Sequence, residues 1–243
     1  MKVLDREIVL KALVGSHNYN LANEESDRDY KVLIAPTFEE LYKGKMFAKD
    51  IITETEDNSI HDIRKLPNLF YKSNINYLEV LESSELIIPS GNPEIEKIVS
   101  LKKEIAKMNL PYFFSACRGM HMQKMSQINK GTEGTQHLVD KYGFDTKQAT
   151  HAYRCMKVVV DFETTDFKDF GSALRYTGDD LEFILSIRHG ELKQEVFEKF
   201  INHYYASTFM HLEEKYKSFK PNLELKEELD ELIMKLVKRK VVA

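Results

Sequence analysis

An apolar run, Ile8 to Leu10 and then Leu13-Val14, stops at Gly15-Ser16. About a dozen residues later Asp27-Arg28-Asp29 opens a second run, Val32-Leu33-Ile34. Asp5 to Val14 reads as a helix or strand leading into the Gly-Ser turn, and Asp27 to Ile34 reads as a strand. In a strand, side chains i and i+2 point to one face, so Asp27 and Asp29 present two carboxylates side by side. Such a pair repels itself and raises a pKa unless a cation sits between the two groups. Hard oxygen donors suit Mg²⁺ (or Mn²⁺), and Mg²⁺ binds through one or two carboxylates plus substrate phosphates. The Gly15-Ser16 turn brings backbone N–H groups close to a ligand, where they cradle phosphate. The set reads as a metal-dependent phosphoryl or nucleotidyl transfer site. The plain alternative is a surface loop whose acids are merely solvated.

Length and charge bound the rest. A chain of 243 residues holds one large domain or two small ones with a sizeable core. A net charge of −4 advertises no global basic field for nucleic acid, though a local groove remains open to it. Cys117 and Cys155 lie far apart, without metal-ligand spacing and in apolar helical contexts. They read as reduced core thiols, and the expected compartment is the cytoplasm. Nothing resembles a signal peptide, and no apolar run reaches a membrane span.

The first third alternates apolar runs with helical patterns, as an α/β unit does. Phe38–Lys43 predicts a short helix, Ile51–Thr55 and Ser59–Ile63 predict strands, and Lys65–Lys72 and Tyr77–Leu81 have helical spacing. Pro89-Ser90-Gly91-Asn92-Pro93 is the strongest punctuation in the chain. The expected division is therefore a catalytic domain over residues 1–93 and a helical domain over 94–243. In the latter, Glu94–Met108, Tyr112–Ile128, Thr146–Phe162, Leu181–His189, Gln194–Ser218 and Leu223–Val241 carry apolar residues at three-four spacing.

A third carboxylate would complete a metal site. The candidates are Glu54, Glu56, Asp57 and Asp62. Asp62, in Ile60-His61-Asp62-Ile63, best matches the apolar–acid–apolar pattern of the nucleotidyltransferases that Gly15-Ser16 and Asp27-Arg28-Asp29 resemble, and Asp57 stands second. Five positions separate the two, so a straight strand sends them to opposite faces and only one reaches the metal. Asp62 is equally suited to cap the following helix. In the helical half, Asp145 or Thr146 can cap a helix on which Lys147, His151 and Arg154 share a stripe at i, i+4 and i+7. Lys supplies a point charge and Arg a bidentate fork, a combination that clamps polyphosphate; taken alone the stripe reads first as a solvated basic helix face, and the aspartates upstream turn the reading toward the clamp. Ala149, Ala152, Cys155 and Met156 face the other way and can pack. Arg188, ahead of Gly190 at a helix end, reaches for phosphate or caps carbonyls. His17 and Lys65 are further candidates for nucleotide contact. The basic end Lys235–Lys240 reads first as a solvated helix terminus.

Gly15-Ser16, a short spacer and Ser26-Asp27-Arg28-Asp29 resemble the active-site signature of the DNA polymerase beta superfamily of nucleotidyltransferases. The segment from Lys141 to Arg154, with Ser186–Glu191, Ile63–Leu66 and Asn74–Leu81, resembles a group of predicted bacterial and phage nucleotidyltransferases. That group includes the RNA-repair-pathway enzymes found near RNA ligases. Where the family often reads N-P-N, this chain has Asn74-Ile75-Asn76. The resemblance spans about Val14 to Glu191. It implies an α+β polymerase-beta-like domain with a mixed sheet, followed by an all-helical C-terminal domain. The expected activity is Mg-dependent transfer of NMP from an NTP to an acceptor hydroxyl. Asp27, Asp29 and Asp62 would be catalytic and metal-binding, and Gly15, Ser16, His17, Lys65, Lys147, His151, Arg154 and Arg188 would bind nucleotide. An RNA end is the acceptor that the resemblance implies, and a protein hydroxyl is the rival. The readings outside catalysis are a nucleotide-binding regulatory module without turnover and an interaction protein built on the helical half.

Overall fold

A computed structural model describes residues 1–24, 26–53 and 55–242. The chain forms two compact units, Met1–Asn109 with Pro221–Ala243, and Leu110–Lys220.

The first unit runs β1 (Lys2–Val3), β2 (Arg6–Val14), β3 (Arg28–Ile34), α1 (Phe38–Tyr42), β4 (Ala48–Ile52), β5 (Glu56–Asp62), α2 (Leu66–Tyr71), α3 (Ile75–Leu78), β6 (Leu86–Ile87), α4 (Pro93–Ser100) and α5 (Lys102–Ala106). The C-terminal helix, Leu223–Val242, completes it. Asp5–Val14, left open between helix and strand, is mostly strand. β2 is buried from Ile8 to Leu10 and from Ala12 to Val14, the near-continuous burial of a central strand. Among the described residues the sheet order is β1-β2-β3-β5-β4, with β6 also on β2. β3 and β5 run parallel, while β2–β3 and β4–β5 are antiparallel, so the sheet is mixed as expected. One of its faces carries the cluster Ile8, Leu13, Tyr30, Val32, Ile34 and Ile60.

The division between units falls elsewhere than after Pro93. Pro93 occupies the first turn of α4, where its missing N–H costs nothing, and Gly91 turns the chain at φ +82°. The cluster therefore marks a helix start. α4, α5 and the C-terminal helix all belong to the first unit, and that last helix buries Leu225, Leu229, Ile233 and Leu236. Its basic end is not simply solvated. Arg239 pairs with Glu94 (2.5 Å) and Lys240 with Glu7.

The second unit contains α6 (Leu110–Met125), α7 (Gln136–Tyr142), α8 (Thr146–Thr164), α9 (Phe170–Leu174), α10 (Gly178–Arg188), α11 (Gln194–Tyr204) and α12 (Glu213–Lys217). Its core is aromatic: Phe113, Phe114, Phe162, Phe170 and Tyr216 meet ring to ring, and the Tyr216 hydroxyl donates to Val159 O at 2.7 Å. The helix expected over Gln194–Ser218 is interrupted by a π turn at Tyr205–Phe209 and a 3₁₀ turn at Met210–Leu212. The wider turn lets Phe209 stack on Phe114 while Tyr205 stacks on His121. Cys117 and Cys155 are free and buried, and burial pushes both thiols up, Cys155 to about 11. Among the described residues no helix is long and apolar enough to cross a membrane.

Candidate functional site

In the first unit the polar residues sort by strand face. Register pairs Val14 with Asp29 and Asp29 with Asp57. Strand alternation then puts Asp29, Lys31, Asp57, Ser59 and His61 on one face. Asp27 precedes β3 by one residue and is exposed, while Asp29 and Asp57 are half-buried. Two strands thus hold carboxylates directly opposite one another, beside a third at the strand's mouth.

Gly15 sits at φ +71°, a conformation glycine adopts freely. A Cβ there would lie 2.5 Å from Asp29 Oδ2, so the turn and the carboxylate approach as only glycine allows. Gly15 N–H donates to Glu79 Oε2 at 3.2 Å. Asn18, buried in the same 3₁₀ turn, donates to Glu79 O (3.2 Å) and accepts from Ser84 N–H (3.3 Å). Leu21 N–H donates to Ser16 O (2.9 Å), and His17 Nε2 lies 3.2 Å from Ser26 O. His17 thereby helps to close the loop between the Gly-Ser turn and the aspartates.

Behind the acids lies a second polar row. Lys31 extends over the Tyr77 ring (4.4 Å), and burial holds its ammonium below the ordinary lysine range against the pull of Glu79, Asp50 and Asp29. Ser59 Oγ donates to Asp50 Oδ1 (2.7 Å) and lies 2.9 Å from His61 Nε2. Burial, then Lys31 and Lys65, hold the His61 pKa below the ordinary histidine value.

Asp62 is not. It pairs with Ile34 in the register, on the core face, and is fully buried. Arg64 grips it through Nη2–Oδ2 (2.5 Å) and Nε–Oδ1 (3.0 Å), and Arg64 N–H donates to Oδ1 at 2.9 Å. Asp62 caps a 3₁₀ turn and neutralises an arginine, so the structure separates it from Asp29 and brings Asp57 there instead. Glu56 also lies on the core face, paired with Lys11 (2.8 Å). Glu54 falls outside the described residues.

The second unit gathers a basic cluster. Asp145 caps α8, its Oδ1 accepting from Gln148 N–H at 2.9 Å. Ala149, Ala152, Cys155 and Met156 are buried, which turns Lys147, His151 and Arg154 away from the core. Burial and the charges of Arg154, Lys124, Lys147 and Arg188 push His151 down to about 3. Arg188 ends α10, and Gly190 follows at φ +69°, where a Cβ would meet the Tyr142 ring at 2.2 Å. The buried Tyr176 hydroxyl accepts from Arg154.

A family model described as the RNA repair pathway DNA polymerase beta family, RlaP, matches residues 2–235. The chain belongs to this family. Membership points to a nucleotidyltransferase-type enzyme with a nucleotide substrate, and the mixed sheet with a following helical region is consistent with a polymerase-beta-like fold. Among curated proteins none matches the chain. Neighbours that spacing alone misses are Glu79, Asn18 and Lys31 around the Gly-Ser turn and Asp29 in the first unit and, separately, Lys124 near His151 in the second. A glutamate framed by Leu78, Val80 and Leu81, and a lysine inside the run Tyr30–Ile34, were visible signals. A charged group in a buried segment must find a partner. Among the described residues no three His, Cys, Asp or Glu side chains stand close enough to hold a metal as they are. The donor set still suits a hard cation, since Asp29 and Asp57 face each other with Asp27 beside them and all offer carboxylate oxygens.

Proposed function

We propose that the chain is a Mg²⁺- or Mn²⁺-dependent nucleotidyltransferase that moves NMP from an NTP to an acceptor hydroxyl, with Asp27, Asp29 and Asp57 as the acidic set. The reading rests on the opposed pair Asp29–Asp57 beside a glycine turn that has no room for a side chain. A divalent cation held by these carboxylates supplies Lewis acidity to the acceptor hydroxyl and to the leaving pyrophosphate. The Gly15 N–H is taken by Glu79 Oε2 and so does not itself cradle phosphate, contrary to the expectation from the sequence; the turn's part is to let the Asp29 carboxylate approach the backbone. Lys31 offsets part of the charge of Glu79, Asp50 and Asp29. Within the second unit taken by itself, Lys147, His151, Arg154 and Arg188 are the cations suited to phosphate oxygens, Arg with bidentate geometry. An RNA end is the proposed acceptor, in keeping with the family description.

The test is incubation with each labelled NTP, Mg²⁺ or Mn²⁺, and a panel of RNA ends and proteins. Label on RNA that disappears in the Asp27→Asn/Asp29→Asn double variant, with folding unchanged, supports the reading. Transfer that survives in the double variant overturns it. NTP binding without pyrophosphate release makes the chain a binding module.

A further inference from the structure

Two aromatic rings of the first unit stand in water. Phe38 is 70% exposed and Tyr42 82%, in a chain that buries most of its phenylalanines. Four residues apart on α1, they rise from one side of the helix. The rings lie 20° from parallel with centroids 6.5 Å apart. The helix beneath them is firmly seated. Thr37 and Glu40 form a capping box, and Glu40 is buried against Arg6 at 2.7 Å. The exposure is therefore fixed by how α1 packs. Two large rings left in water forgo the burial that drives aromatic residues inside. An exposed apolar pair on an anchored element marks a contact surface.

The pair also narrows the occupant. Near-parallel rings offer flat faces, and a flat partner stacks on them or slides between them. Their separation is about twice the roughly 3.4 Å repeat of stacked bases. The chain then runs Tyr42-Lys43-Gly44-Lys45-Met46 with every residue exposed. Lys43 answers Glu39 and Arg6 answers Glu40, so neither acid of α1 is left to repel phosphate. Lys45 adds an exposed cation three residues beyond Tyr42.

We propose that Phe38 and Tyr42, with Lys43 and Lys45, form a stacking platform for unpaired bases of single-stranded RNA. The proposal names a contact for the acceptor and rests on the transferase reading for the choice of RNA. Lysine is depleted at protein–protein interfaces, whereas aromatic faces among cations are the means of sequence-tolerant strand binding. β3 carries Asp29 near its start and leads into α1 from its other end. Asp29 to Ile34 spans roughly 17 Å at about 3.3 Å per residue. A strand at about 3.4 Å or more per nucleotide covers that in roughly five nucleotides. The platform thus holds bases away from the reacting end.

The probe is a fluorescent oligoadenylate of roughly twelve nucleotides, followed by anisotropy at low salt beside an abasic strand of equal length. Phe38→Ala and Tyr42→Ala should each weaken oligoadenylate binding roughly five- to a hundredfold. Phe38→Tyr and Tyr42→Phe should keep it. Met234→Ala removes a similarly exposed apolar side chain elsewhere and should change nothing. Melting curves of the ring variants should match wild type. The abasic strand should bind weakly and ignore both rings. A wild-type chain that ignores oligoadenylate overturns the platform, and so does a Phe38→Ala/Tyr42→Ala variant that binds it like wild type. An abasic strand bound as tightly as the normal one overturns it too, because charge alone would then hold the RNA. Sedimentation that shows a wild-type dimer and a monomeric double variant, with RNA binding unchanged, makes the patch a self-association surface instead. Label transfer to RNA that persists while the rings prove indifferent defeats the platform and leaves the transferase reading standing. Ring-dependent oligoadenylate binding by a chain that transfers no NMP does the reverse.

Discussion

At Gly15 a missing methyl group decides where Asp29 can stand. Alanine there faces two penalties, roughly 1–2 kcal/mol for a side chain in the left-handed region and a Cβ that meets Asp29 Oδ2 at 2.5 Å. Gly15→Ala should still fold, because the turn is half-buried and a carboxylate can swing aside. Turnover should drop roughly a hundredfold, the cost of a displacement near 1 Å at reacting groups. Single-turnover kinetics beside a melting curve checks this, and a variant with wild-type turnover would detach the turn from the acids. The two candidate third acids give an opposed pair of outcomes. Asp57→Asn should abolish most transfer and hold stability. Asp62→Asn should lose about 3 kcal/mol, the low end for breaking a buried ion pair because Arg64 keeps 18% of its side chain in water. Its transfer per folded molecule should stay near wild type. Urea titration and turnover measured on the same samples decide both.

Elements made of strong periodic patterns were legible, and those built by context were not. Asp27 and Asp29 could be paired on one face because strand alternation needs only spacing. The same alternation set Asp57 and Asp62 on opposite faces, but which of them shares the face of Asp29 depended on the β3–β5 register, a long-range property. Apolar–acid–apolar framing favoured Asp62 for a reason that describes burial beside Arg64 equally well. α7 escaped because it buries no residue fully and so carries no stripe to read. The break after Tyr204 escaped because a π turn is set by which rings must face the core. The end of α10 was legible through Gly190, and here a prediction belongs to the element. Gly190→Ala should fray the helix end carrying Arg188, through positive φ and the clash with Tyr142. Amide exchange at Ser186–Arg188 should accelerate, and adding Tyr142→Ala should recover part of the protection. Exchange unchanged in the single variant would sink this account.

For the whole molecule, the C-terminal helix is as much a part of the sheet-bearing unit as the strands are. Leu229 and Leu236 are fully buried, and Arg239 and Lys240 tie the helix to Glu94 and Glu7. Leu229→Ala should cost about 2–5 kcal/mol, appearing in the first unit. A chain cut after Lys220 should lose the fold of that unit while the second keeps its aromatic core, as near-ultraviolet dichroism and exchange mapping would show. Loss of both units together would mean that they melt as one.

The chain leaves the first unit at Asn109 and rejoins it at Pro221, with Asn222 N–H donating to Met108 O at 2.8 Å across the doorway. During synthesis the ribosome therefore delivers the strands and α2 and α4 first and the helix that packs on α2 and α4 last, with the whole second unit in between. The nested unit has all its residues in hand earlier and is free to fold while the outer one waits. Domains emerging from the ribosome generally fold in the order they appear. Here the part begun first is the part finished last. The faces of α2 and α4 that await the last helix stay uncovered for the time needed to translate more than a hundred further residues.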